Sequence, residues 1–159
     1  MSDYVQNRVQ FEYSDIDEAF PNIDPQHTPC GEFVILQVRA AKGVTAGGII
    51  LSDDSKAVER DNTQVAKVLA VGPVAFCNRT TGEPWACGAW YKVGDFVRIP
   101  RYGGDRWHLT HERKEPEKKK GGIVIPSKSL SIEVEFALFR DTDIRSVITG
   151  DPLRVKAFL

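Results

Sequence analysis

The chain has 159 residues, a formal net charge of -1 and a hydrophobic content of 42%. This length and composition are typical of one globular domain with its own core, and they exclude a disordered or a membrane-spanning chain. The near-zero net charge supplies no overall basic field, so binding to nucleic acid is not expected.

Targeting signals and cysteine usage both point to the cytoplasm. No stretch approaches the length of a membrane-spanning helix, and residues 1–17 lack the basic start and apolar run of a secretory signal. The three cysteines are odd in number and unevenly spaced, which argues against a disulfide scaffold. Cys77 and Cys87 with His108 and His111 include zinc-ligand types, but neither pair has the usual finger spacing, so no metal or cofactor is expected.

Residues 1–24 form an acidic segment that also carries hydrophobic side chains. The segment holds six acidic residues against the single basic Arg8. Its Val9, Phe11 and Tyr13 alternate as in a strand. The segment is therefore expected either to pack on the body of the protein or on a partner, or to remain a mobile terminus.

The chain after this segment is rich in short strand signals. Dense β-branched and aromatic residues predict a strand at 32–39, and alternation predicts a second at 63–71 that stops at a Gly-Pro turn. Further extended segments are predicted at 96–100, 106–109, 133–139 and 144–148. Short strands with glycine-rich corners and no long amphipathic helix indicate an all-β fold, a small antiparallel barrel or sandwich.

Residues 74–91 predict a hairpin, because Thr81 and Gly82 lie midway between Cys77 and Cys87. Its aromatic residues are Phe76, Trp85, Trp90 and Tyr91. These rings either pack on one another or form an aromatic surface turned toward a cavity or a partner.

Residues 42–56, KGVTAGGIILSDDSK, surround a short aliphatic run with flexible residues. The glycines allow positive φ, and the serine and aspartate residues that follow favour turns. Ile49, Ile50 and Leu51 have two interpretations: they begin a buried strand, or they are the aliphatic tip of a flexible loop.

Five features in chain order resemble the GroES-type co-chaperonin family. The matching segments are the mobile-loop tip at 47–51, the next strand at 65–72, a VGD signature at 93–95, a P-x-YGG signature at 100–104, and the closing strand FALFRDTDI at 136–144. Each feature alone is weak, but five in order across 32–148 are specific.

The resemblance implies a partly open β-barrel subunit that forms a seven-membered ring and caps a GroEL-type chaperonin around an unfolded client protein. ATP belongs to the partner, so no catalysis and no cofactor are expected of this chain. The resemblance assigns the chaperonin contact to Gly47, Gly48, Ile49, Ile50 and Leu51. It also implies that the region near 25–30 pairs with the neighbouring subunit's 144–148.

Two other classes of protein compete with this interpretation. The first is a structural or virion-associated protein that reuses the GroES-like barrel as an assembly subunit. A GroES-like domain also occurs in zinc-dependent alcohol dehydrogenases, but this chain shows no glycine-rich dinucleotide fingerprint after a strand, which disfavours an enzyme.

The chain is longer than the family pattern in three places. The expected organisation is an N-terminal extension at 1–24, a barrel domain at 25–148 and a C-terminal extension at 149–159. The barrel domain contains a mobile loop at 40–56, a roof-like hairpin at 74–91 and an insertion at 110–131. Enlarged co-chaperonins of large bacteriophages resemble this layout.

The insertion at 110–131 occupies the place of a tight hairpin and contains a second glycine-aliphatic run, GGIVIP at 121–126. Ile123, Val124 and Ile125 either begin the returning strand of a lengthened hairpin, or form a second aliphatic anchor or a contact to another protein. The end of the barrel from which the insertion projects is left open by the sequence.

Overall fold

The computed structural model describes residue 13 and residues 15–40, 64–114, 118–126 and 129–155. The elements in chain order are α1 (Ile16–Ala19), β1 (Phe33–Val38), β2 (Val65–Val71), β3 (Phe96–Arg98), β4 (Asp105–Lys114), β5 (Lys118–Lys120), β6 (Ile123–Ile125), β7 (Ser129–Arg140), a 3₁₀ turn (Asp141–Asp143) and β8 (Ser146–Val147). Within the described residues the structure is mostly β-sheet, so the predicted all-β class is confirmed. No helix in this part of the chain is long and apolar enough to span a membrane.

Six strands form one antiparallel sheet in the order β4-β7-β1-β2-β3-β8. The two edge strands, β4 and β8, do not pair with each other in this sheet, so the barrel is partly open, as predicted. β5 and β6 form a separate two-stranded ladder.

The main core lies inside the curved sheet around β1. Val34, Leu36 and Val38 point into this core together with alternate residues of the neighbouring strands. Ile35 and Gln37, between them in sequence, are also buried. The outer face of β1 is therefore covered, and the Gln37 side-chain amide donates to the Pro21 carbonyl oxygen at 2.8 Å.

A second, smaller core joins the two terminal segments to the barrel. Ala19 and Phe20 are buried together with Val65. The partly buried residues packed against them are Tyr13, Phe96, Ile148, Leu153 and Val155. The described part of the acidic segment thus packs on the body of the protein, which was one of the two alternatives.

The β4–β7 hairpin is lengthened, as one of the two interpretations of the insertion at 110–131 predicts. The two strands pair over their whole length, from Asp105 opposite Leu138 to Lys114 opposite Ser129. The strand signals at 106–109 and 133–139 cover only the inner part of this hairpin. In the outer part β4 is polar and charged, while β7 still alternates, with Leu130 and Ile132 continuing the set of Val134 and Phe136.

Candidate functional site

The candidate site begins where β1 and β2 are joined. These adjacent antiparallel strands pair Val38 with Ala66, and the Arg39 N–H donates to the Val65 carbonyl oxygen at 2.9 Å. A hairpin between such strands needs only about two to five residues. Residues 39–64 instead form a long connection that leaves and returns at one point of the barrel rim.

The tip of this long connection lies outside the described residues. Residues 41–63 are not described, and they include the predicted contact residues Gly47, Gly48, Ile49, Ile50 and Leu51. The structure describes the base from which the connection starts.

The N-terminal segment holds that base through the backbone of Ala40. The Ala40 N–H donates to the Ala19 carbonyl oxygen at 2.8 Å. The Tyr13 hydroxyl donates to the Ala40 carbonyl oxygen at 2.6 Å. The N–H and the carbonyl oxygen of Ala40, the last described residue before the long connection, are thus both hydrogen-bonded.

Arg39 ties the C-terminal segment to the same base. Its side chain is 5% exposed, and its Nη1 donates to the carbonyl oxygens of Pro152 and Val155, both at 2.8 Å. Its guanidinium carbon lies 5.6 Å from the centroid of the Tyr13 ring. We call Tyr13, Ala19, Phe20, Arg39, Ala40, Pro152, Leu153 and Val155 the clasp.

A second projecting element leaves the barrel at the same end. The pairing of β7 with β1 stops at Phe136 opposite Gln37, near the end of β1 where the long connection starts. Residues 108–114 of β4 and 129–135 of β7 continue past this point as a two-stranded ribbon. The strand directions therefore show that the insertion extends from the end of the barrel that carries the long connection.

The ribbon leads to the small β5–β6 ladder, which we call the tip (residues 118–126). Lys118, Lys119 and Lys120 pair with Ile125, Val124 and Ile123, respectively. Between the strands, Gly121 and Gly122 have φ of 62° and 80°, which favours glycine at both positions. The hairpin is lengthened, and Ile123–Ile125 form β6, which pairs with β5 in the same register as β7 pairs with β4, so the run lies on the returning side of that hairpin.

The predicted hairpin at 74–91 lies at the opposite end of the barrel. The Val74 N–H donates to the Gly31 carbonyl oxygen at 3.1 Å, close to the start of β1. An antiparallel β-bridge between the backbones of Cys77 and Pro84 closes the hairpin. Its rings pack on one another, Phe76 against Tyr91 at 4.8 Å and Trp85 against Trp90 at 4.7 Å between centroids. Trp90 remains 51% exposed, so the packed arrangement still presents one ring outward.

A buried carboxylate fastens this hairpin to the end of β7. Asp141 is fully buried and accepts from the Phe76 N–H at 2.8 Å and from Arg79 Nη2 at 2.6 Å. The Tyr91 hydroxyl donates to the Asp141 carbonyl oxygen at 2.9 Å. Burial, followed by the negative charges of Asp141 and Asp143, raises the pKa of Tyr91 well above its usual range.

The four residues weighed for a zinc site do not form one. In the part of the chain that the structure describes, no three His, Cys, Asp or Glu residues are grouped so that they could hold a metal ion. Cys77 and Cys87 are free thiols on the hairpin. His108 and His111 lie on β4, in the ribbon.

The sequence carries a signal for some of these features and none for others. The sequence shows the glycine-aliphatic runs at 47–51 and 123–125. It does not mark Arg39 as a contact residue, because the partners of Arg39 are backbone carbonyl oxygens more than a hundred residues away. The sequence signal at this position is a basic residue directly after a strand of buried aliphatic residues.

Comparison with known proteins agrees with this fold. Residues 26–113 match the family model described as the chaperonin 10 Kd subunit. A protein named Co-chaperonin GroES from Methylacidiphilum infernorum (isolate V4) is 27% identical over 128 residues, which cover 80% of this chain and 99% of that protein. Another of the same name, from Bifidobacterium animalis subsp. lactis (strain AD011), is 34% identical over 85 residues, covering 54% of this chain and 79% of that protein.

The family match covers the long connection, the hairpin at 74–91 and the first strand of the ribbon. It leaves out residues 1–25, most of which form the acidic segment, and everything after β4. Since the match spans more than half of the chain, this protein belongs to the chaperonin 10 Kd subunit family.

Proposed function

We propose that this protein is a co-chaperonin, which forms a ring and caps a GroEL-type chaperonin, closing a chamber around an unfolded client protein. Its partner binds and hydrolyses the ATP. The observation that carries the proposal is the long connection between two adjacent antiparallel strands, held at one point of the rim. A segment of that length is not needed to join β1 to β2, so another role must account for it.

The contact with the chaperonin is assigned to the aliphatic run of the long connection. Ile49, Ile50 and Leu51 would each gain about 1.5 to 3 kcal/mol if fully buried in an apolar groove. Ordering the surrounding backbone offsets much of that gain. A single contact is therefore weak, and several copies on one ring bind together by avidity.

Ring assembly uses the two open edges of the sheet. Among the described residues, β8 pairs only with β3, and β4 pairs only with β7. The irregular stretch 25–30 lies against β4, because Trp107 Nε1 donates to the Pro25 carbonyl oxygen at 3.2 Å. A contact between residues 25–30 at the β4 edge and residues 144–148 of a neighbouring subunit joins two different surfaces, so it is heterologous. A heterologous contact that closes on itself produces a ring.

Substitution of the aliphatic run tests the proposed function. The variant Ile49→Ser, Ile50→Ser, Leu51→Ser is expected to lose ATP-dependent capture by an immobilised GroEL-type chaperonin, while native mass spectrometry still shows the ring. Val93→Ser is the control, since Val93 is a 57% exposed aliphatic residue outside the connection. Full capture of the triple variant would move the contact elsewhere, and no capture of the unaltered ring would refute the function.

A further inference from the structure

We propose that the tip of the ribbon, residues 118–126, is a second anchor that binds the same chaperonin. This inference rests on the proposed function and adds a contact site to it. The partner it requires is an apolar groove with an acidic rim on the chaperonin surface that receives the long connection.

Position is the first argument for this anchor. The ribbon leaves the barrel beside the end of β1, where the long connection also starts. Residues 129–135 of β7 extend beyond the last pair with β1, which places the tip roughly 20 Å past the rim at the usual rise per strand residue. A partner that covers this end of the ring therefore meets the tip as well as the long connection.

Exposure is the second argument. Ile123 is 70% exposed and Val124 is 50% exposed. Their strand pairs with β5 alone among the described strands, at the outer end of the lengthened hairpin and away from the six-stranded sheet. These side chains contribute little to the core of the subunit, while exposing adjacent aliphatic residues carries a solubility cost that binding to a partner removes.

Chemistry is the third argument, because it identifies the occupant. The run Gly-Gly-Ile-Val-Ile at 121–125 repeats the Gly-Gly-Ile-Ile-Leu of 47–51 with the same order of residue types. A groove that accepts one run also fits the other. The tip adds Lys119 and Lys120, both exposed on the paired strand, so its complement carries acidic side chains beside the apolar groove.

Two variants of the intact ring test the second anchor. Ile123→Ser with Val124→Ser is expected to weaken chaperonin binding by about tenfold, because one loss per subunit is multiplied around the ring. Lys119→Glu with Lys120→Glu is expected to weaken it by a similar factor, and Lys119→Arg with Lys120→Arg to leave it unchanged. Binding of fluorescent rings to purified chaperonin with ATP measures all three against the unaltered protein.

Two outcomes would overturn the second anchor. If the unaltered ring binds and the Ile49, Ile50, Leu51 variant does not, the proposed function stands, and unchanged binding by the Ile123, Val124 variant then overturns the second anchor alone. A ring that dissociates on substitution at the tip would assign the tip to contacts between subunits and would also overturn the proposal.

Hydrogen exchange separates binding from a merely structural role. In the unaltered ring, amides of residues 121–125 are expected to exchange fast, and to slow when chaperonin and ATP are added. Protection already present in the free ring, together with a lower melting temperature for the Ile123, Val124 variant and no change on adding chaperonin, would show a folding role and overturn the second anchor.

Discussion

Replacing Arg39 with methionine is expected to release the C-terminal segment from the barrel. The Arg39 guanidinium holds the Pro152 and Val155 carbonyl oxygens at 2.8 Å each, and methionine keeps most of the apolar stem while it removes both donors. Among the described residues, Leu153 and Val155 still pack against the second core. Residues 152–155 should therefore detach locally while the sheet stays folded.

The size of the effect follows from these contacts. A hydrogen bond to a charged group contributes about 1.5 to 3 kcal/mol, so the two bonds together contribute about 3 to 6 kcal/mol. The substitution also removes a buried cation whose Nε has no partner, and this relief offsets part of the loss. A net loss of about 2 kcal/mol raises the population of the detached state about 30-fold.

Hydrogen exchange measured by mass spectrometry checks this expectation. The amides of residues 153–155 should exchange about 30-fold faster in Arg39→Met, in line with the population shift. Arg98→Met is the matched control, because Arg98 is an exposed arginine whose Nη2 donates to Gln64 Oε1 at 3.1 Å and does not contact residues 152–155 among the described hydrogen bonds. Unchanged exchange at 153–155 in Arg39→Met would refute the reasoning that a buried arginine holds this segment.

Two further predictions concern the fold. Because the pKa of Tyr91 is raised in the folded state, its stabilising contribution is complete below the unfolded pKa of about 10 and is lost as pH rises further. Urea titrations between pH 8 and 11 should show this alkaline loss in the unaltered protein and in Tyr102→Phe, an exposed control, but a smaller loss in Tyr91→Phe. Gly72→Ala should destabilise the protein by about 3 kcal/mol or more, since an added Cβ would lie 2.2 Å from the Gly31 carbonyl oxygen. Gly150→Ala, where nothing lies within 4 Å, should leave the melting temperature unchanged, and equal melting temperatures for the two alanine variants would contradict the packing argument.

The strands around the main core could be predicted because their hydrophobic residues are dictated by burial. β1 and β2 are aliphatic runs that end at turn residues, and both lie within one or two residues of the predicted bounds. The outer half of the β4–β7 hairpin could not be predicted in this way. Residues 110–114 of β4 are polar and charged and give no strand signal of their own, although they pair with residues 129–133 of β7.

Part of the candidate site could likewise be predicted from the sequence, and part of it could not. Residues 47–51 and 123–125 stand out in sequence because aliphatic runs beside glycine are unusual in polar surroundings. The clasp does not stand out, because its contacts join Tyr13, Arg39 and Val155 through backbone oxygens that leave no mark on residue type. Only the tertiary structure brings the two terminal segments to the base of the long connection.

Sedimentation velocity of the labelled protein mixed with a purified GroEL-type chaperonin tests whether this protein is a co-chaperonin. We expect the ring to sediment with the chaperonin when ATP is present and separately when nucleotide is absent. We expect the Ile49, Ile50, Leu51 variant to sediment as a free ring under both conditions. An unaltered protein that stays monomeric at micromolar concentration, or that never sediments with the chaperonin, would refute the co-chaperonin role.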